Sequence, residues 1–411
     1  MKVLAENNLR ARLLKLAGVL ATALSANTAL SLSYASLINA LSGRAGASTR
    51  TALLLNMWAF ALIFCSHRYP HILKKWGTRR CAVGALALSS SAIAMLAASK
   101  SFSIWLAAEA LQGIAFGLFY VAAETWINSA FEDAIRNRIN ALYLAVQSLG
   151  FATGPIIVSF SGFGITTCFA VAAAMMAVAA LVAVIFVPDD RPCEVKNASI
   201  GIRQFGEIAR QLPWVVVLGT LTGTLDNTAW SLLTPFLRMT GYSDAMSMFA
   251  LTIFVWGQTV LLMPLGYYAD KAGEQRLMKI VASYVVVYCL VLTQAHRLPE
   301  LLVLAMTFMF GPACFSIYGA ALSLAGKRVR RDQLAVASAS LVTGWCLGGF
   351  VGSILVGVGM DLIDVRAFPL CLLAVAGGIA AVVMAVVPTE LKVRDNNATV
   401  VLPRRVAGDR C

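Results

Sequence analysis

Twelve long apolar runs follow one another along the chain, at approximately residues 15–40, 48–66, 81–99, 102–127, 138–160, 164–187, 213–237, 245–268, 277–296, 298–325, 334–358 and 367–387. Each approaches or exceeds the ~20 residues that an α-helix needs to cross the hydrocarbon of a bilayer. Hydrocarbon offers no water to backbone N–H and C=O groups, so chain inside it must be helix or closed barrel. Unbroken apolar runs of this length specify helices. With 59% hydrophobic and only 13% charged residues, against ~25% charged in a soluble domain, the chain reads as an all-α, multi-pass membrane protein. Lys2, Arg10, Arg12 and Lys15 precede the first run as in a secretory signal. Its apolar character continues to about Leu41, beyond the length of a signal core, so it is expected to stay as an uncleaved first span.

A polar stretch between Pro188 and Pro213 carries Asp189, Asp190, Arg191, Glu194, Lys196, Arg203, Glu207 and Arg210 and divides the runs into two sets of six. The expected organisation is a six-helix bundle over 1–187, a cytoplasmic linker over 188–212 with a short interfacial helix at 202–211, a second six-helix bundle over 213–390, and a tail over 391–411. If the N-terminus is cytoplasmic, only Arg44, Arg50, Lys100, Arg238, Arg297 and Arg366 of the 33 Lys and Arg fall on the outer side. Cytoplasmic loops are the ones enriched in these residues, so both termini are expected in the cytoplasm. The net charge of +13 is then a topology signal rather than a nucleic-acid footprint. The nine cysteines form no CxxC pair and mostly lie in apolar runs, where they act as small hydrophobes. His67, His71 and His296 lie in loops, and Asp189-Asp190 is a solvated pair, so no metal or other cofactor is expected.

The chain repeats itself. Gly266-Tyr-Tyr-Ala-Asp270-Lys271-Ala-Gly273-Glu-Gln-Arg276 forms a polar hairpin between the eighth and ninth runs. A step of 196 residues back leads to Pro70, Lys74, Lys75, Gly77 and Arg80 in the matching place of the first half. Gly150-x-x-x-Gly154 in the fifth run matches Gly344-x-x-x-Gly348 in the eleventh at a step of 194. Two like-oriented halves of six helices describe one large transporter architecture.

On these residues the chain resembles the major facilitator superfamily over essentially its whole length. That family's loop signature, Gly-x-x-x-Asp-(Arg/Lys)-x-Gly-x-x-(Arg/Lys), is matched by Gly266, Asp270, Lys271, Gly273 and Arg276. In the first-half copy Pro70 and Lys74 depart from it, while Lys75, Gly77, Arg79 and Arg80 remain. The resemblance implies a twelve-helix fold in two pseudo-symmetric bundles and a loop that latches the halves in the outward-facing state, with Asp270 pairing across the interface. It also implies that Glu124, at the inner end of the fourth helix, pairs with Arg79 or Arg80. Gln112-Gly113 matches part of a drug/proton antiporter signature, with Glu109 where an arginine ordinarily stands. Gly150-x-x-x-Gly154-Pro155 is similar to the antiporter motif of the fifth helix without its final glycine pair.

Two acids lie inside spans. Asp226 sits mid-way along the seventh, where 219, 222, 223, 226 and 230 share one helical face; Asn227 and Trp230 belong to the same segment. Glu109 lies in the fourth, on a face continuing through Gln112, Phe116 and Tyr120. Ionised side chains in hydrocarbon cost several kcal/mol. These carboxyls therefore either carry protons or substrate, or serve packing alone through hydrogen bonds to neighbouring Asn, Ser or Thr. The resemblance places the first, fourth, seventh and tenth helices around a central cavity, one acid from each half. Asn27 and Tyr34, seven apart on the first helix, Gln147, Trp256, Gln258, Met306, Met309, Phe310 and Tyr318 are further cavity candidates, although aromatics and methionines in spans usually pack. Gly311-Pro312 is expected to kink the tenth helix. No Lys or Arg stands at cavity depth, which disfavours phosphate-ester and dicarboxylate substrates.

The expected function is proton-coupled export of a small organic molecule by alternating access, from a monomer in a bacterial inner membrane, with protons and the lipid bilayer as partners. Uptake of a neutral solute such as a sugar or nucleoside is the alternative. A membrane enzyme or sensor is disfavoured, because no acid or His cluster stands at the water boundary.

Overall fold

The computed structural model describes residues 2–44, 46–65, 68–131, 133–189, 210, 213–328 and 334–385. All but residue 210 of the expected interfacial helix at 202–211, most of the linker and the whole tail lie outside the described residues. Fourteen α-helices and no strands occur among the described residues. They are α1 (Lys2–Leu41), α2 (Ala47–Cys65), α3 (Tyr69–Trp76), α4 (Thr78–Ala98), α5 (Phe102–Ala130), α6 (Asp133–Phe160), α7 (Ile165–Phe186), α8 (Pro213–Met239), α9 (Asp244–Ala272), α10 (Glu274–Leu292), α11 (Glu300–Phe310), α12 (Ala313–Arg328), α13 (Leu334–Leu362) and α14 (Ala367–Ala385). Eleven membrane-crossing segments follow from length and apolarity, α11 and α12 together making one. The twelfth span, α8, is long enough but more polar, carrying Thr220, Thr222, Thr224, Asp226, Asn227, Thr228, Ser231 and Thr234. Most of it is buried against other helices, so protein rather than lipid receives these groups.

The loop signature is helix more than hairpin. α9 continues through Asp270 and Lys271 to Ala272, and a single residue, Gly273 at φ +92°, makes the turn into α10. Gly77 at φ +82° does the same between α3 and α4. Only glycine enters this region without steric cost, so one backbone requirement recurs at the 196-residue step. The first-half loop also contains an unexpected short helix, α3. Pro70 sits in its first turn, where the missing N–H costs nothing. The tenth span breaks where expected. Pro312 has no N–H, α11 ends at Phe310 and α12 begins at Ala313.

Packing repeats with the sequence. In the first half α1 lies on α6 and α7, α4 on α5 and α7, and α2 on α5. In the second, α8 lies on α13 and α14, α10 on α12 and α14, and α9 on α11. Small residues let the backbones approach closely. A Cβ on Gly150 would stand 2.8 Å from the Leu24 carbonyl, and one on Gly344 would stand 2.8 Å from the Val216 carbonyl. The Ser31 hydroxyl donates to the Gly150 carbonyl at 3.2 Å, while the Thr224 hydroxyl donates to the Gly348 carbonyl at 3.0 Å. The halves meet through α2 with α13 and α6 with α9, each pair the symmetry copy of the other.

A methyl group at Gly348 would lie 1.9 Å from the Thr220 carbonyl, whereas Gly84 has nothing within 4 Å. Overpacking of this kind costs about 1–3 kcal/mol. Gly348→Ala is expected to lower the melting temperature in detergent, and Gly84→Ala to leave it unchanged.

Candidate functional site

The candidate faces of α1 and α5 are packed on each other. The Tyr120 hydroxyl donates to Asn27 Oδ1 at 2.7 Å, and Asn27 Nδ2 donates to the Ala23 carbonyl at 2.8 Å. Because α1 and α5 are antiparallel, Tyr34, seven residues beyond Asn27, comes within electrostatic reach of Glu109, eleven residues before Tyr120. The Phe116 ring stacks edge-on against Tyr120, centroids 5.1 Å apart. Glu109 is 0% exposed, and neither carboxyl oxygen has a hydrogen-bond partner. One turn on, Gln112 accepts a short hydrogen bond from the Ser89 hydroxyl of α4, while its amide nitrogen has no partner. A buried polar group without a partner costs roughly 1–3 kcal/mol, and an ionised one far more. Taking up a proton removes the charge, so this carboxyl is suited to a neutral form.

Asp226 is 2% exposed and is held differently. Gln258 Nε2 on α9 donates to its Oδ1 at 2.9 Å. Gln258 stands at the break in the tenth span. A Cβ on the adjacent Gly257 would lie 1.9 Å from the Phe308 carbonyl, and one on Gly311 would lie 2.1 Å from the Phe254 carbonyl. Asn227 Nδ2 turns back to the Gly223 carbonyl at 3.0 Å. Trp230 crosses to the other half, its ring 5.4 Å from that of Phe151. Asp226 and Glu109 are not brought together. Both are buried, and they share no hydrogen-bond partner: Asp226 has Gln258, and Glu109 has none among the described residues.

Apart from Trp230, the residues that join the halves in the following contacts were not among the sequence candidates. Take the end at which α1 begins as proximal and the end with the α1–α2 turn as distal. At the distal end Asp361, in the last turn of α13, caps the N-terminus of α2 from across the interface. Its Oδ1 accepts from the Ser48 amide at 3.1 Å, and its Oδ2 from the Thr49 amide at 2.8 Å and the Thr49 hydroxyl at 2.6 Å. First-turn amides lack helical acceptors and carry partial positive charge, so a carboxylate fits there. Arg238, at the end of α8, donates to Asn39 Oδ1 and, at 2.5 Å, to the Ser42 hydroxyl at the end of α1. Its Nε lies 2.9 Å from Asp244 Oδ1, an ion pair by distance without hydrogen-bond alignment. Below this clasp the Thr252 hydroxyl donates to the Ala152 carbonyl at 3.3 Å, Asn56 Nδ2 reaches Ser231 Oγ at 3.5 Å, and the Trp58 and Trp345 rings lie 5.7 Å apart. These contacts run from mid-height to the distal end, where the halves are closed.

The latch residues are spread out. Gly266, Asp270, Lys271, Arg276 and Arg80 are exposed at the proximal end, and Lys271 Nζ lies 4.5 Å from the centre of the Tyr267 ring. Among the described residues Asp270 has no ion-pair partner. The expected pairing of Glu124 with Arg79 or Arg80 is also absent there. Arg79 Nε donates instead to the Val187 carbonyl at 2.6 Å, the negative end of α7, and Glu124 is exposed. No group of three metal-ligating side chains occurs among the described residues.

The sequence model of the Major Facilitator Superfamily matches residues 16–239 and 215–406. YcaD of Escherichia coli, named an uncharacterized MFS-type transporter, is 22% identical over 283 residues, covering 69% of this chain and 72% of that protein. YcaD of Salmonella arizonae is 22% identical over 286 residues, with the same shares covered. The crystal structure of the nucleoside transporter NupG superposes with a TM-score of 0.75 at 14% identity, over 91% of this chain and 98% of that one; this likeness is one of fold.

Asp361→Ala is expected to loosen the distal closure. Hydrogen bonds to charged groups contribute about 1.5–3 kcal/mol each, so a cysteine at position 48, buried at Ser48, should react with a polar maleimide at least about tenfold faster when Asp361 is removed. Unchanged labelling would mean that the carboxylate does not hold the halves.

Proposed function

The chain belongs to the major facilitator superfamily, and from that premise we propose that this multi-pass membrane protein exports a small organic molecule by alternating access, driven by protons moving the other way. It performs transport without an enzymatic step. The observation that carries the proposal is Glu109, whose two carboxyl oxygens are buried with no partner. A carboxyl in such a place is stable protonated and costly ionised, which is what a proton carrier needs in one of its two states. Asp226, with only a neutral amide donor at its Oδ1, is the matching group of the other half.

By the excess of Lys and Arg in its loops, the proximal end faces the cytoplasm. On that orientation the Asp361 and Arg238 clasp seals the outer side, and substrate enters from within. Opening outward strips Asp361 from the α2 amides and exposes the acids to the outer water for proton exchange. Among the described residues no Lys or Arg side chain is fully buried, which supports cationic, zwitterionic or neutral amphiphilic substrates over anions. Uptake of a neutral solute such as a sugar or nucleoside remains the alternative. The Asp226–Gln258 bond is in its favour, since there the acid serves as an ordinary hydrogen-bond acceptor.

The two are separated in proteoliposomes loaded with ethidium, an amphiphilic cation. A proton gradient should drive ethidium movement by the wild-type protein. Glu109→Gln and Asp226→Asn should reduce gradient-driven accumulation at least about tenfold, the loss of one essential acid–base group, while equilibrium exchange of ethidium persists. Transport with wild-type pH dependence in both variants contradicts the assignment of the carboxyls. Absence of any ethidium movement by the wild type contradicts export of amphiphilic cations.

A further inference from the structure

The first-half loop departs from the family signature at Lys74, and the structure shows what stands there instead. α3 is a surface helix with two unlike sides. Tyr69, Pro70 and Leu73 are buried against the bundle, and the Tyr69 hydroxyl donates to the Ile114 carbonyl of α5 at 3.0 Å. At the far end the Gly77 amide closes the helix on the Leu73 carbonyl at 2.8 Å, and the Thr78 hydroxyl donates to the Pro188 carbonyl at 2.7 Å. The helix is thus fixed at both ends. Its other side presents Lys74, Lys75 and Trp76, flanked by Arg68 and Arg80, all exposed. Among the described residues none of these four cations is ion-paired. Among the described residues the exposed acids of this end of the half, Glu124 and Asp189, lie on α5 and beyond α7.

α3 begins four residues after α2 ends and is joined to α4 by Gly77 alone, so it lies at the level where two spans leave the hydrocarbon. Trp76 is 55% exposed and Phe64, in the last turn of α2, is 60% exposed. Tryptophan with Lys and Arg at this depth is the arrangement that seats in the headgroup layer, and a cluster of unpaired cations there is complementary to acidic lipid. We propose that α3 and its flanks form a docking surface for acidic phospholipid. Lys74, Lys75 and Arg80 take the headgroup phosphate, and Trp76 seats at the boundary between headgroups and acyl chains. The substitution of a base at position 74 then exchanges a protein–protein latch for a protein–lipid contact. The proposal is independent of what is transported.

The test uses the full-length protein in phosphatidylcholine vesicles doped with a minor fraction of brominated phosphatidylglycerol or, separately, brominated phosphatidylcholine. Bromine quenches nearby indole fluorescence, and the difference from Trp76→Phe isolates the Trp76 signal among the eight tryptophans. Brominated phosphatidylglycerol is expected to quench Trp76 more strongly than brominated phosphatidylcholine at equal content. The preference should fall about fivefold per neutralised side chain across Lys74→Gln, Lys75→Gln and Arg80→Gln, persist in Lys74→Arg with Lys75→Arg, and weaken in high salt. Equal quenching by the two lipids would reduce the surface to a nonspecific membrane contact and overturn the proposal. No quenching by either would remove Trp76 from the membrane and overturn it as well. If the neutralised variant does not fold, the salt dependence and the arginine variant on their own decide the outcome.

Discussion

Inside hydrocarbon a polar group that finds no partner in the protein finds none at all, and this protein is arranged around that constraint. Most span hydroxyls meet it locally. Thr22, Thr28, Ser36, Thr222 and Thr259 each donate to the carbonyl four residues back in their own helix, which silences them without committing them to a neighbour. A second set reaches across helices in both halves, as Ser31 and Thr224 do. Among the described residues a few neutral groups, such as the hydroxyls of Ser33, Ser247 and Ser340, also go without a partner, but the buried carboxyls are Glu109, bare beside the Gln112 amide, and Asp226, with its lone amide donor at the break of the tenth span. Glu109 shares a helical face with Phe116 and Tyr120, and Asp226 is held by Gln258 at the helix break, which is why the proposed proton exchange is assigned to them.

The same constraint is visible in the seam between the halves. The seam between α2 and α13 and between α6 and α9 is closed at mid-height by rings and weak hydrogen bonds, and at the distal rim by charged groups. Charge belongs at the rim because water replaces its partners there when the halves separate. Asp361 on the α2 amides and Arg238 on Asn39 and Ser42 can therefore be made and unmade at modest cost, whereas a buried ion pair at mid-height could not. Asp361 sits in one half and its three donors in the other, so rigid rotation of the halves breaks all three hydrogen bonds together.

The span pattern, the two-fold repeat, the turn glycines and the break at Gly311-Pro312 were legible in the sequence because each is a local property: run length, spacing, or the chemistry of one residue. α3 was not, because Pro70 and two lysines within eight residues read as a loop until the buried side of Tyr69 and Leu73 is seen. The faces carrying Asn27 with Tyr34, and Glu109 with Tyr120, could each be read by helical periodicity. That they pack on each other could not, since register between spans is set by tertiary packing. Asp361 resembled any acid at a helix end, with donors 313 and 312 residues away. Glu124 was expected to pair with Arg79 or Arg80, but the Val187 carbonyl at the end of α7 accepts from Arg79, and Arg80 is exposed.

The central proposal is that the buried Glu109 is held as a neutral acid and gives up its proton when the distal end opens. Infrared difference spectroscopy of the reconstituted protein reads this directly. A protonated carboxyl band, shifted by deuterium exchange and missing in Glu109→Gln, is the result expected at neutral pH, with its loss when Asp361→Ala opens the distal side. A spectrum in which Glu109→Gln removes only ionised carboxylate bands would contradict the account.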